Sequence, residues 1–233
     1  MKNNHTWVIC AYGESEFLED CILSLQAQTL TSKIICYSST PLDSIKQLCQ
    51  KYGIPFYTKE GGGIGKDWNN ALSFVETAYA TIAHQDDYYE PTYLEAVMQK
   101  LEQSKDILIA YTDYFEEKNG VKIPANTNLK IKTLMLKTLN LMPASRFWRN
   151  RVLAFGNPIS CPAVTYNLEA LRDFRFDEEM RVSLDWYAWY KISAYKGRFA
   201  YISEKLMCHR IHGESETTKT ISDNTRTKED LFM

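Results

Sequence analysis

The sequence predicts an α/β protein: a doubly wound, mostly parallel sheet flanked by helices, with a smaller irregular and helical region beside it. Three observations carry that expectation. Short apolar, β-branched runs alternate with stretches of helical period through the first half of the chain. Turn and cap residues separate them. The 233 residues, 45% apolar and 24% charged, are enough for one sizeable core.

TWVICAY (6–12) reads as a strand covered on both faces. Phe17, Leu18, Cys21, Ile22 and Leu25 then recur at helical spacing between Glu16 and Gln28. KIICY (33–37) is the second buried strand. Thr40, Pro41 and Asp43 predict a helix start, with Thr40 as the capping hydroxyl, and that helix should run to about Tyr52 and stop at Gly53. Residues 54–58 form a third strand. After the glycine-rich loop 61–65, DWNNALSFVETA reads as a helix. TIAH (81–84) is a fourth strand, Pro91 opens a helix to about Ser104, and ILIAYT (107–112) is a fifth strand.

The second half is less regular. Asn119-Gly120 is a strong hairpin signal. Residues 128–155 carry Lys130, Lys132, Lys137, Arg146, Arg149 and Arg151 and no acid, interleaved with large apolar side chains. Two readings stand open. One is a core-facing helix pair with a solvated basic face. The other is a peripheral contact with an anionic membrane, or a hold on a lipid-phosphate acceptor. LDWYAWYKISAY (184–195) reads as an aromatic helix, residues 198–203 as a late strand, and the stretch after Gly213 as an irregular or mobile tail.

A net charge of −2 argues against nucleic acid as a partner. The six cysteines form no CxxC pair, which speaks against a zinc knuckle, and several sit in apolar runs as small hydrophobes, which speaks for a reducing compartment. No stretch approaches the length of a membrane span, so the expected place is the cytoplasm, at the inner face of the membrane if the basic segment binds there.

In a doubly wound sheet, ligands bind beyond the carboxyl ends of the strands. AHQDDYYEP (83–91) lies at one such end. Adjacent Asp86 and Asp87 repel each other, and oxygen donors of that kind suit Mn²⁺ or Mg²⁺. Asp185, between Leu184 and Trp186, is either a helix cap or a general base in an aromatic pocket. Arg210 and His212, two apart on an extended segment, share one face and suit phosphate or metal. The loop Gly61–Lys66 could approach a phosphate, but it is no P-loop, because Asp67 follows the lysine.

Together these pieces resemble the family 2 glycosyltransferases of GT-A fold, from about Trp7 to His212. LEDCILSLQAQ (18–28) matches the family's first helix, and GIGKDWNNAL its glycine-to-asparagine element, at Asn69. HQDD matches the acidic motif, RFDEEM (175–180) the F-D-E element, SLDW the E-D pair at Asp185, and CHRIH (208–212) the terminal Y-R-I-H element. Four places depart from the pattern: His84 replaces the first acid, Ser38 and Ser39 replace an Asp-rich turn, Ser183-Leu184 lacks the glutamate before Asp185, and Cys208-His209 replaces the usual aromatic before Arg210.

The resemblance implies inverting sugar transfer from a nucleoside-diphosphate sugar to a glycan or lipid-linked acceptor, with Mn²⁺ or Mg²⁺ on Asp86, Asp87 and His212. Asp185 would be the base. Ala11, Tyr12, Glu14, Ser39, Lys66, Asn69, Gln85, Asp86 and Arg210 would bind the donor. Residues 1–116 would form the nucleotide-sugar half, 117–212 the acceptor and base half, and 213–233 a polar tail. Bacterial surface polysaccharide or lipid-linked glycan synthesis is the expected setting. The alternative is a catalytically silent relative that binds nucleotide sugar or a partner enzyme. A sugar-nucleotide pyrophosphorylase or a methyltransferase would need a glycine-rich turn after the first strand, which AYGESEF lacks.

Overall fold

The computed structural model describes residues 4–212 and Glu229. Nine strands form one curled sheet: β1 (His5–Ala11), β2 (Lys33–Ser38), β3 (Phe56–Tyr57), β4 (Tyr79–His84), β5 (Tyr88–Tyr89), β6 (Ile107–Lys118), β7 (Val121–Lys122), β8 (Val164–Asn167) and β9 (Arg198–Ile211). Their order is β3-β2-β1-β4-β8-β6-β9-β5, with β7 hairpinned onto β6. β1, β2, β3 and β4 run parallel, as the alternation predicts. β8 enters antiparallel between β4 and β6, while β9 is parallel to β6.

Helices cover both faces. α1 (Leu18–Gln26), α2 (Asp43–Lys51) and α4 (Tyr93–Leu101) pack with Trp7 and Ile9 of β1 on one side. Burying Leu18, Ile22 and Leu25 of α1 contributes roughly 2 kcal/mol each. On the other side lie α3 (Ile64–Leu72), α5 (Thr127–Leu139), α6 (Arg146–Leu153) and α7 (Leu184–Ser193). Asn119 (φ 53°) and Gly120 (φ 74°) make the expected left-handed pair of the β6–β7 hairpin.

Several expectations need correction. Thr40 does not cap α2: Leu42 occupies the cap position without a side-chain bond, and the Thr40 hydroxyl accepts from the Gly13 N–H across the sheet rim. α3 starts at Ile64, inside the glycine loop, and α4 starts at Tyr93, two residues past Pro91. β6 and β9 outrun their apolar cores, because each satisfies the other's backbone to Lys118 and Ile211. Arg149 is not on a solvated face. It is buried, and its guanidinium donates to the carbonyls of Pro143, Ser193 and Gly197. Of the expected tail (213–233), only Glu229 lies among the described residues.

Gly65 lets α3 meet the 177–178 backbone. A Cβ there would sit 1.9 Å from the Asp177 carbonyl oxygen. Helix propensity alone favours alanine at a helical glycine by about 1 kcal/mol, whereas the clash costs about 2 kcal/mol or more. Gly65→Ala should therefore lower the thermal midpoint, and a rise would show that the 177–178 segment yields freely.

Candidate active site

A cleft of about 870 Å³ opens at the carboxyl ends of β1 and β4. Its wall includes Tyr12, Glu14, Gln85 and Asp86 from the sheet rim, Asp185 from α7, and His209 and His212 from the end of β9. Residues far apart in sequence thus meet where the strand ends predict a site.

Asp87 organises this meeting. It is wholly buried, and its Oδ1 accepts from the Arg210 N–H (3.1 Å) and lies 3.3 Å from His209 Nδ1. Its Oδ2 is buried without a hydrogen-bond partner among the described residues, 3.9 Å from His84 Nδ1. Asp86 faces the cleft and pairs with His212 Nε2 at 3.0 Å. Burial pushes Asp86 up, but the His84 charge and the His212 bond outweigh it and hold its pKa below the ordinary carboxylate range. Burial pushes His209 down, and the Asp87 carboxylate more than reverses this, raising it above an ordinary imidazole. His84 stacks on Trp68 at 5.4 Å between ring centres.

Asp185 sits in the first turn of α7, and it does not cap the helix from outside. Its Oδ2 accepts from Asn157 Nδ2 (2.8 Å) and its Oδ1 from the Trp186 N–H (2.8 Å). Enclosure by the surrounding chain raises its pKa despite these bonds.

Several residues singled out from the sequence bond the protein's own backbone and side chains. Gln85 grips the Tyr12 backbone with both amide atoms, at 3.1 and 2.9 Å. Asn69 does the same to Phe176, accepting from its N–H and donating to its carbonyl. Ser39 donates to Asp67 Oδ2 at 2.8 Å, and Lys66 folds back over Gly62. The Arg210 guanidinium lies between the Phe17 and Tyr88 rings and pairs with Asp20 and Glu117. Ala11 is buried at the end of β1.

Two participants had no local signal. Asn157 lies in Gly156-Asn157-Pro158, which reads as an ordinary turn. Glu229 accepts from the N–H groups of Arg181, Val182 and Ser183 at 2.8–2.9 Å, placing a carboxylate at the start of α7.

His84, Asp86 and Asp87 each bring a ligand atom into a group within 4.8 Å. With the partnerless Asp87 oxygen, this donor set fits a divalent cation that accepts oxygen and imidazole ligands, such as Mn²⁺.

Residues 6–162 match the model of glycosyl transferase family 2. The chain belongs to that family. Two curated relatives are similar to parts of it. The glycosyltransferase GlyA of Streptococcus pneumoniae is 24% identical over 50% of this chain and 18% of its own length. The chondroitin synthase of Escherichia coli is 25% identical over 69% of this chain and 25% of its own. The chain therefore spans a quarter or less of each. Among solved structures, S. aureus TarS in complex with UDP-GlcNAc superposes with a TM-score of 0.71 at 16% identity, over 92% of this chain and 60% of that one. The mannosyltransferase PcManGT of Pyrobaculum calidifontis, with GDP-Man and Mn²⁺, gives 0.70 at 13%, over 97% and 61%. These likenesses establish the GT-A fold.

Asn157 stabilises the ionised form of Asp185. Asn157→Ala should raise the Asp185 pKa further, read from its carboxyl ¹³C shift against pH. An unchanged or lower pKa would mean that the bond does not hold the carboxylate.

Proposed function

We propose that the chain transfers a sugar, with inversion, from a nucleoside-diphosphate sugar to a hydroxyl of a glycan or lipid-linked glycan acceptor. One observation carries this reading: in a family 2 chain, a carboxylate of raised pKa (Asp185) faces one cleft at the strand ends together with Asp86 and His212, with Asp87 buried beside Asp86. Asp185 removes the acceptor proton as the oxygen attacks the anomeric carbon. Its raised pKa makes it the stronger base, and Asn157 fixes its orientation.

Asp86 and Asp87, with His84 beside them and His212 on Asp86, would hold Mn²⁺ or Mg²⁺, which when bound would neutralise charge on the departing diphosphate. Tyr12, Glu14 and Gln85 meet the nucleoside and sugar directly. Ala11, Ser39, Lys66, Asn69 and Arg210 support that wall from behind. In this reading residues 1–116 hold the donor and 117–212 supply the base and the acceptor side. UDP and GDP sugars are the donors to test first, since structural neighbours hold UDP-GlcNAc and GDP-Man. The chondroitin synthase relative favours surface-glycan synthesis in a bacterium, and the six free cysteines favour a cytoplasmic setting.

Asp185→Asn should lose turnover by at least about a hundredfold and keep donor binding, read as the same thermal shift with UDP or GDP and Mn²⁺. The shift should vanish with EDTA. Normal turnover in that variant would remove Asp185 from the base role. Absence of both turnover and nucleotide shift in the unaltered chain would favour a silent relative.

A further inference from the structure

α5 and α6 leave an unusual outer face. Six of the eleven exposed large hydrophobic side chains of the described residues lie between Ile131 and Phe155. Ile131 and Leu134 are one turn apart on α5, Leu141 and Met142 lie in the link, Phe147 is on α6, and Phe155 just beyond it is 86% exposed. The core face of the pair is separate, made by Leu129, Leu136, Leu139, Val152 and Leu153. The outer apolar side chains are thus surplus to packing, where a solvated face would carry polar ones.

Charge narrows the partner. Lys130 and Lys137 lie on the same outward side of α5, and Arg146 and Arg151 are exposed on α6, with the Arg151 guanidinium 5.2 Å from the Phe147 ring centre. No Asp or Glu occurs from Lys118 to Leu168, although the chain has 29 acids. Long exposed apolar side chains interleaved with exposed cations, in a stretch without an acid, complement an anionic lipid surface: the apolar groups enter the headgroup boundary and the cations meet phosphates.

We infer that the outer face of α5 and α6 docks on an anionic bilayer. The pair also borders the base. Trp186, next to Asp185, donates to the Leu153 carbonyl at the end of α6, and Asn157 holds Asp185 itself. Where the transferase reading holds, docking presents the acceptor side of the cleft to the membrane, so the acceptor is one displayed at that surface. The docking itself does not depend on that reading.

The test is sedimentation of the full chain with vesicles of phosphatidylcholine alone and of phosphatidylcholine with phosphatidylglycerol, so failure here leaves the transferase reading untouched. The expected result is binding to the phosphatidylglycerol vesicles at about 0.1 M salt, release near 1 M, and little binding to phosphatidylcholine alone. Each cation near such a surface is worth about fivefold in partition, so Lys130→Gln, Lys137→Gln and Arg151→Gln together should weaken binding roughly a hundredfold. Phe147→Ser with Phe155→Ser should also release the chain. All five side chains are exposed, so unchanged thermal midpoints should accompany both losses. Three outcomes would overturn the proposal: no binding to anionic vesicles, equal binding to both compositions, or a dimer in solution that the two serines turn into a monomer, which would assign the face to a second copy.

Discussion

A buried carboxylate at the end of β4 sets the architecture of the site. Asp87 has no access to water, and an unpaired ion there would cost several kcal/mol. The chain meets that demand with the last turns of β9, through the Arg210 N–H and the His209 ring. β9 must therefore run past its apolar residues, in register with β6, to Ile211. Only then does His212 reach Asp86. The Asp87 oxygen without a hydrogen-bond partner among the described residues suits the cation proposed for this site. One electrostatic requirement thus joins residues some 120 positions apart and shapes this end of the cleft.

The other end rests on backbone clamps. Asn69 and Gln85 use both amide atoms on the main chain of a distant loop, and such paired bonds fix position and direction together. Gly65 allows the first of these loops to lie against α3. Glu229 collects three consecutive N–H groups just ahead of α7 and so steadies the helix that carries Asp185. Much of the polar inventory near the cleft therefore holds its walls apart at the right distance. A smaller set (Tyr12, Glu14, Asp86, Asp185 and His212) faces the opening.

Arg149 does for α5, α6 and α7 what Asp87 does for the sheet. Its guanidinium bonds carbonyls on the link before α6, at the end of α7 and on the turn into β9, and it packs on the Phe199 ring. The helices can then turn an apolar and basic side outward, because their mutual placement does not depend on it.

The sequence by itself determined the alternation of strands and helices, the β6–β7 hairpin, the two faces of α1 and the order of the motifs that mark the family. Each of these is written in local periodicity or turn chemistry, and the backbone responds to its own neighbours. Asp86, Asp87, Asp185 and His212 stood out because carboxylates and histidines beside apolar strand or helix ends are costly to bury, and the fold gathers them at one end of the sheet. Tertiary structure decided the rest. Arg149 reads from sequence as surface charge and in the fold bonds backbone, and Asn69 and Gln85 bond backbone through both amide atoms. Asn157 and Glu229 carried no signal at all. The physical reason is common to them: a polar side chain looks the same in sequence whether its partner is a substrate or a carbonyl a hundred residues away. Only the packing of the sheet, which brings those carbonyls within about 3 Å, makes the choice.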